Sequence, residues 1–374
     1  MARPATVYRL GMKELRSLYR DRAMILLIVW AFSLGIYGAA MAIPDALHHA
    51  PLAIVDEDRS ALSMQLMDAF AIPYFLLPAD IALDQLDRGM DQGRYTFTLD
   101  IGPDFERDVL AGKSPSVQMN VDATQIGQAF SGASQIQKIF ATQVADFVRH
   151  YRAVAPTPVA LELRMQFNPN LTQAWFTSVM ELVNYITMVS IILTGAALIR
   201  EREHGTIEHL LVMPLRPSEI ILGKIWSMGL VVLIASLLAV SGLIHGVIGM
   251  PISGSITLFM FATALHLFAT TSIGIYLGTV TRSMPQMGLM SILILLPLQL
   301  LSGGSTPRES MPVVVQYMMQ VAPTTHFVSI AQSVLYRGAG LMLIWPHLLA
   351  IAAIGGVTFL AALVRFRRDI TRMA

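Results

Sequence analysis

The chain has no cysteine among its 374 residues, which excludes disulfides, thiolate nucleophiles and cysteine-ligated zinc. Any part facing an oxidising compartment must therefore fold on its own core. Charge is scarce as well. Only 14% of residues are charged, against about 25% in an ordinary soluble domain, and 54% are hydrophobic, so the balance points to a membrane protein. No basic tract or RNA-binding aromatic motif is present, and no nucleic-acid partner is expected.

The N-terminus imitates a signal peptide, with basic residues before an apolar run and Ala40-Met41-Ala42 as a small-x-small site. The run from Ala23 to Ile43 has the roughly 20 residues of a membrane span, longer than a signal h-region of about 7–15, and predicts an uncleaved first helix. Five further spans are expected at about Trp175–Ile199, Ile225–Ile248, Ile256–Val280, Gln286–Leu301 and Leu343–Val364, with Pro297 kinking or breaking the fifth. Arg3, Arg9, Lys13, Arg16, Arg20 and Arg22 precede the first span. Arg200, Arg202, Arg216 and Lys224 follow the second, Arg282 the fourth, and Arg365, Arg367, Arg368 and Arg372 the sixth. The opposing short loops hold only Arg308 and Arg337, so both ends are expected in the cytoplasm.

The expected fold is thus an α-helical polytopic membrane protein of six transmembrane helices with an inserted periplasmic α/β domain. Its expected divisions are 1–43, the inserted domain at 44–172, and spans two to six at 173–374. Within the insert, Leu52–Val55 reads as a strand, and Ser60 caps a helix bearing Leu62, Leu66 and Phe70. Tyr95, Phe97, Leu99 and Ile101 alternate as a strand; Pro103 suits the first turn of the next helix and Gly112 its stop. Val117, Met119 and Val121 alternate again. A long helix follows, with Ile136, Phe140, Val144, Phe147 and Tyr151 on one side, before a last strand over Val159–Phe167.

Several apparent sites fail on spacing. Asp56, Glu57 and Asp58 read as a solvated turn leading into the Ser60 cap rather than a cation site. Gly112-Lys113-Ser114 lacks the earlier glycine of a phosphate loop, Arg107 standing in its place. His204 and His209 are five apart, not the four that puts two zinc ligands on one helix face, and no metal is expected. Polar residues inside the spans are Glu181, Asn184, His245, His266 and Gln299. Of these, Glu181, Asn184 and His266 are the candidates for a substrate path. Arg200–Pro214 stands out: charges crowd its start, Ile207, Leu210 and Leu211 form an apolar edge, and Pro214 ends it, with Ser218 capping the next helix. It reads as a cytoplasmic helix, 200–214, able to carry a push into spans two and three.

That stretch, Arg200-Glu201-Arg202-Glu203-His204-Gly205-Thr206-Ile207-Glu208-His209-Leu210-Leu211 with Pro214, Pro217 and Gly223-Lys224, resembles the coupling segment of ATP-binding-cassette type 2 permeases. Leu301-Ser302-Gly303-Gly304, Pro307, Met311-Pro312, Gln316 and Pro323 resemble the family's outer re-entrant hairpin, here about 302–325, and Phe167-Asn168-Pro169 fits before span two. The resemblance covers essentially the whole chain and is nearest to the multidrug-efflux branch with a large external domain. Many relatives have Pro and Gly early in span two where this chain has Val179, Met180 and Glu181, so pore details are not carried over.

The resemblance implies an inner-membrane exporter subunit for a hydrophobic or drug-like substrate, not itself an enzyme. It binds no cofactor, ATP and Mg²⁺ residing on a separate cytoplasmic ATPase subunit. A second permease copy or paralogue completes a dimer in membrane lipid, with a periplasmic membrane-fusion adaptor as a further partner. Arg202, Glu203, His204, Gly205, Thr206 and Glu208 would couple to the ATPase. Ser302, Gly303, Gly304, Pro307, Met311 and Pro312 would form an outer gate. Two alternatives stay open: an ATPase-driven mechanotransmission protein acting on a periplasmic partner, and a proton-coupled carrier working alone.

Overall fold

In the computed structural model the described residues are 3–42, 50–70, 74–122, 126–151, 172–203, 215–304, 306, 308 and 311–373. They fall into two compact units, Met1–Ile43 with Gln166–Ala374, and the inserted Pro44–Met165.

The first unit opens with helix α1 (Pro4–Arg20) and the first span, α2 (Arg22–Ala42). Asp21 separates the two, and its carboxylate accepts from the Met24 amide to cap α2.

The inserted unit contains, in order, β1 (Leu52–Asp56), α3 (Ala61–Ala69), β2 (Ala79–Asp80), α4 (Leu83–Asp91), β3 (Phe97–Ile101), α5 (Phe105–Leu110), β4 (Gln118–Val121) and α6 (Ile126–Tyr151). The sheet order is β2-β1-β3-β4, with β1 parallel to both neighbours and β4 antiparallel to β3. Leu52, Ile54, Phe97, Leu99 and Ile101 join Leu62, Leu66, Phe70 and Phe75 in one core. Ser60 caps α3, exchanging hydrogen bonds with Ser63. The acidic turn serves the backbone: Asp56 accepts from the Asp58 and Arg59 amides and the Ser63 hydroxyl, and Asp58 from the Phe105 and Glu106 amides.

Two expectations for this unit need correction. Pro103 lies in the turn before α5, because Asp104, at φ 64°, takes the N-cap position. β3 begins at Phe97, since the Thr96 and Phe97 amides bond to the Pro51 carbonyl, ahead of the paired residues. On α6, Ile136, Phe140, Val144 and Phe147 share the core-facing side as expected, and Tyr151, exposed at the helix end, continues it with its ring against Phe147. Gly112, at φ 79°, follows the end of α5, and Lys113 pairs with Asp108 at 3.0 Å. The expected strand over Val159–Phe167 lies outside the described residues.

Returning to the first unit, the remaining helices are α7 (Gln173–Glu203), α8 (Pro217–Val247), α9 (Ile256–Val280), α10 (Met284–Leu301), α11 (Val313–Met319), α12 (Pro323–Ala331) and α13 (Leu341–Met373). Among the described residues, six helices are long and apolar enough to cross a membrane: α2, α7, α8, α9, α10 and the Leu341–Asp369 part of α13. α10 runs through Pro297 without a break. Ser218 does not cap α8; Arg216 is the N-cap and Pro217 the first helical residue, while Glu219 accepts from the Arg216 amide at 3.0 Å. Arg200–Glu203 form the end of α7 itself, and residues 204–214 of the expected coupling helix lie outside the described residues.

α7 is the axis of the bundle, with 78% of its apolar window buried against 17% for α10. Its close contact with α9 depends on absent side chains. A Cβ on Gly274 would lie 2.1 Å from Thr194 Oγ1 and 2.5 Å from the Ile191 carbonyl oxygen. Small residues at such a crossing let two membrane helices approach backbone to backbone. Gly274→Ala is therefore expected to cost about 1–3 kcal/mol by overpacking, read as a lower melting temperature of the detergent-solubilised chain.

Candidate functional site

The charged end of α7 is where the spans are tied together. Glu201 accepts from Lys13 Nζ of α1 and pairs with Lys224 Nζ of α8, each at 2.8 Å. Lys224 also donates to Glu14 Oε1 of α1 at 2.8 Å, and the lysine is only 2% exposed. Two cations thus face two carboxylates, with Lys224, Glu14 and Glu201 shielded from water and Lys13 at the exposed edge. Arg200 pairs with Asp21 between α1 and α2. Arg202 donates to Asp369 of α13 at 2.8 Å and to the Thr281 carbonyl after α9 at 3.0 Å. Glu203 accepts from the Met284 amide at 3.0 Å, satisfying a donor at the start of α10. The last turn of α7 therefore holds α1, the entry of α2, α8, the end of α9, the start of α10 and the far part of α13.

The α1–α8 contact continues beyond the ions. Glu219 accepts from the Arg3 amide at 2.8 Å, Trp226 Nε1 donates to the Val7 carbonyl at 3.0 Å, and Tyr8 stacks on Trp226. Burial, opposed by Lys224 and assisted by Glu201, holds the Glu14 carboxyl above its ordinary value of 4.5. A raised folded value means that Glu14 takes up a proton on folding, so its contribution to stability grows as pH falls and is lost as pH rises through the folded value. Wild type should accordingly gain on Glu14→Gln in melting temperature as pH is lowered from neutral towards 4.5.

Of the six residues expected to meet an ATPase, Arg202 and Glu203 sit in this joint with partners inside the chain, and His204, Gly205, Thr206 and Glu208 lie outside the described residues. Glu14, Lys13, Glu201 and Lys224 escaped the sequence reading as a set. The available signals were Glu14, the one acid in α1, and Lys224, a cation inside an otherwise apolar helix.

Above the joint, a cavity of about 380 Å³ opens between α2, α7 and α10. Met24, Met188, Ile192, Met287, Ile292 and Leu295 give it an apolar wall, with Ser291 and Gln299 as polar points. Met-rich walls adapt to varied apolar shapes. Glu181 and Asn184 bond to each other at 3.4 Å on α7 and are not among these lining residues.

His266 is fully buried on α9, its ring 4.2 Å from that of Phe327 and its Nε2 2.9 Å from Thr187 Oγ1. Thr187 has its single proton within reach of the Val183 carbonyl at 2.9 Å, which assigns Nε2–H as the donor to the threonine. Nδ1 is then an acceptor with no partner among the described residues. Ser190 and Thr270, bonded at 2.7 Å, extend this polar seam between α7 and α9. His245 lies at the end of α8 with Nδ1 3.0 Å from the Met250 carbonyl.

At the end of α10, Ser302 is buried, Gly303 takes φ 93°, and a Cβ on Gly304 would lie 3.1 Å from Met180 Sδ. Met311 is buried, and Pro312 is the N-cap of α11, whose Gln316 side chain donates back to the Met311 carbonyl at 2.9 Å. Pro307 lies outside the described residues. Ser302 to Gly304 and Met311 to Pro312 thus bracket the turn that leads from α10 into α11 and α12.

The profile of the ABC-2 family transporter proteins matches residues 22–364. The chain is 57% identical over 368 residues to the inner membrane transport permease YhhJ of Escherichia coli K12, covering 98% of each protein. It is 27% identical over 367 residues to the probable multidrug ABC transporter permease YbhR of the same organism, covering 96% of this chain and 97% of that one. It is 24% identical over 337 residues to YbhS, which carries the same description, across 89% of each. With a match that runs from the start of α2 into α13, the chain belongs to the ABC-2 family of transporter proteins.

Proposed function

We propose that the chain is the membrane subunit of an ATP-driven exporter that moves a hydrophobic or drug-like molecule out of the inner membrane or cytoplasm. The observation that carries this reading is the joint at the end of α7, where one helical turn grips the other spans through Glu201, Arg202 and Glu203. A force applied to the segment after Glu203 would reach those spans as a rigid movement, because each contact is short and most are shielded from water. ATP and Mg²⁺ reside on a cytoplasmic ATPase subunit, and two permease copies, or this chain with a paralogue, form the transport unit. The Arg and Lys bias puts both termini in the cytoplasm and the inserted α/β unit in the periplasm, where a membrane-fusion adaptor would meet it. Ser302–Gly304 with Met311 and Pro312 act as the outer gate. YbhR and YbhS are described as probable multidrug permeases, and the Met-lined cavity suits an apolar cargo of that kind.

The coupling is tested by charge reversal. Glu208→Lys is expected to abolish co-purification of the ATPase subunit while the chain still folds; retained binding together with retained dye efflux in proteoliposomes would refute the reading. Glu203→Lys is the less clean variant, since it also removes the acceptor for the Met284 amide.

A further inference from the structure

α1 carries three stripes, each at spacings of four, three and four residues. Val7, Gly11, Glu14 and Leu18 form the face packed into the protein, where a Cβ on Gly11 would fall within 2.3 Å of the Trp226 ring. Tyr8, Met12, Leu15 and Tyr19 form a second stripe, and Tyr8 and Tyr19 are 60% and 82% exposed. Arg9, Lys13, Arg16 and Arg20 form the third, all exposed. Lys13 is engaged with Glu201, while Arg9, Arg16 and Arg20 have no ion pair among the described residues. The one acid of α1, Glu14, is turned inward to Lys224, so the outer surface of the helix is wholly cationic. An exposed apolar stripe beside a cationic one is the pattern of a helix lying in a membrane interface.

Beside this helix, Trp226, Gly229, Leu230 and Leu233 of α8 and Leu267 and Phe268 of α9 line an apolar groove of about 290 Å³. Trp226 joins the two features, since its ring stacks on Tyr8 and also walls the groove. Gly229 keeps the floor low: a Cβ there would meet only Leu267 Cβ, at an ordinary 3.9 Å.

We propose that α1 and the α8–α9 groove form one binding site for an anionic phospholipid. An acyl chain fills the groove under Trp226, and the phosphate lies in the positive field of the Arg9, Arg16 and Arg20 stripe, which extends about 16 Å along α1. Both ends of one molecule find a complement: an apolar slot on the flank of two spans, and unpaired guanidinium groups where the headgroup layer begins. A zwitterionic lipid would fill the slot equally well but gain less at the arginines.

The full-length chain, purified in detergent and exchanged into mixed phosphatidylglycerol and phosphatidylethanolamine, is examined by native mass spectrometry. Wild type should retain phosphatidylglycerol in preference to phosphatidylethanolamine. Arg9→Gln, Arg16→Gln and Arg20→Gln together should erase that preference, each lowering it by about fivefold. Gly229→Leu should reduce retention of both lipids without changing their ratio. Should Gly229→Leu fold poorly, Trp226 offers a second measurement: brominated-chain phosphatidylglycerol should quench wild type more than Trp226→Phe. Undiminished preference in the triple variant, or equal quenching in the Trp226→Phe chain, would overturn the site. Loss of the ATPase subunit from the triple variant with lipid preference intact would assign the stripe to a protein partner and overturn it as well.

Discussion

Lys224→Met is expected to destabilise the membrane unit by about 3–5 kcal/mol, the range seen when one partner of a buried ion pair is removed. Methionine is close to lysine in length and is at home in an apolar helix, so packing changes little. The damage comes from what stays behind: Glu14 and Glu201, each less than 10% exposed, lose the cation 2.8 Å away that they share. Lys13 still reaches Glu201, but Glu14 is left with no cation of its own. The test is the melting temperature of the solubilised chain, with Lys224→Met, Glu14→Gln and their combination compared in one series. Adding Glu14→Gln to Lys224→Met should recover a large part of the loss, because the stranded charge is then gone. If the double variant were as unstable as the sum of the singles, the lysine would be acting through its packing, and the electrostatic account of the joint would fail.

The second large effect concerns transport and not folding. Gly288 of α10 lies in the wall of the 380 Å³ cavity, and a Cβ added there would meet no atom within 4 Å. Gly288→Trp should therefore enter the cavity without straining the backbone and fill most of the space between α2, α7 and α10. Efflux in proteoliposomes holding both subunits should fall by about an order of magnitude or more, equivalent to roughly 1.4 kcal/mol at the limiting barrier. Association with the ATPase subunit should be unchanged, since Gly288 lies one turn along α10 from Met284 and the substitution leaves the Met284 amide bonded to Glu203. Unimpaired efflux would mean that cargo takes another route. By contrast, Gly195 faces the same region but would set its Cβ 1.8 Å from the Met287 side chain, so substitution there would mix blockage with misfolding.

Much of the fold was legible because the bilayer imposes a simple rule. A span must satisfy its own backbone and present apolar side chains for its whole length, so composition alone located six helices to within a few residues, apart from the polar ends of α7, α8 and α13. Those ends misled for one reason. Arg200 to Glu203 were expected to open a separate cytoplasmic helix, yet here they continue α7, each finding a partner on another element. Ser218 had the chemistry of a cap, but Pro217 fixes the first helical turn one residue earlier and leaves Arg216 in the capping position. In the inserted unit the Ser60 cap and the Gly112 stop were plain from spacing, whereas the start of β3 depended on the Pro51 carbonyl, far away in sequence.

The functional residues divide in the same manner. The Arg200–Leu211 and Leu301–Pro312 segments were visible as local strings, since local strings are what a sequence displays. The joint was not, because Glu14 and Lys224 are 210 residues apart, and nothing local tells a buried lysine from one that reaches the interface. Composition and periodicity by themselves located the six helices long and apolar enough to cross a membrane among the described residues, the α/β insertion after the first of them, and the missing glycine that denies Gly112-Lys113-Ser114 a phosphate loop. Only the tertiary structure decided which charges are buried together, which glycines bring α7 against α9, and where a cavity is left. Those depend on distances between segments remote in the chain, and such distances are set when helices pack, not when they form.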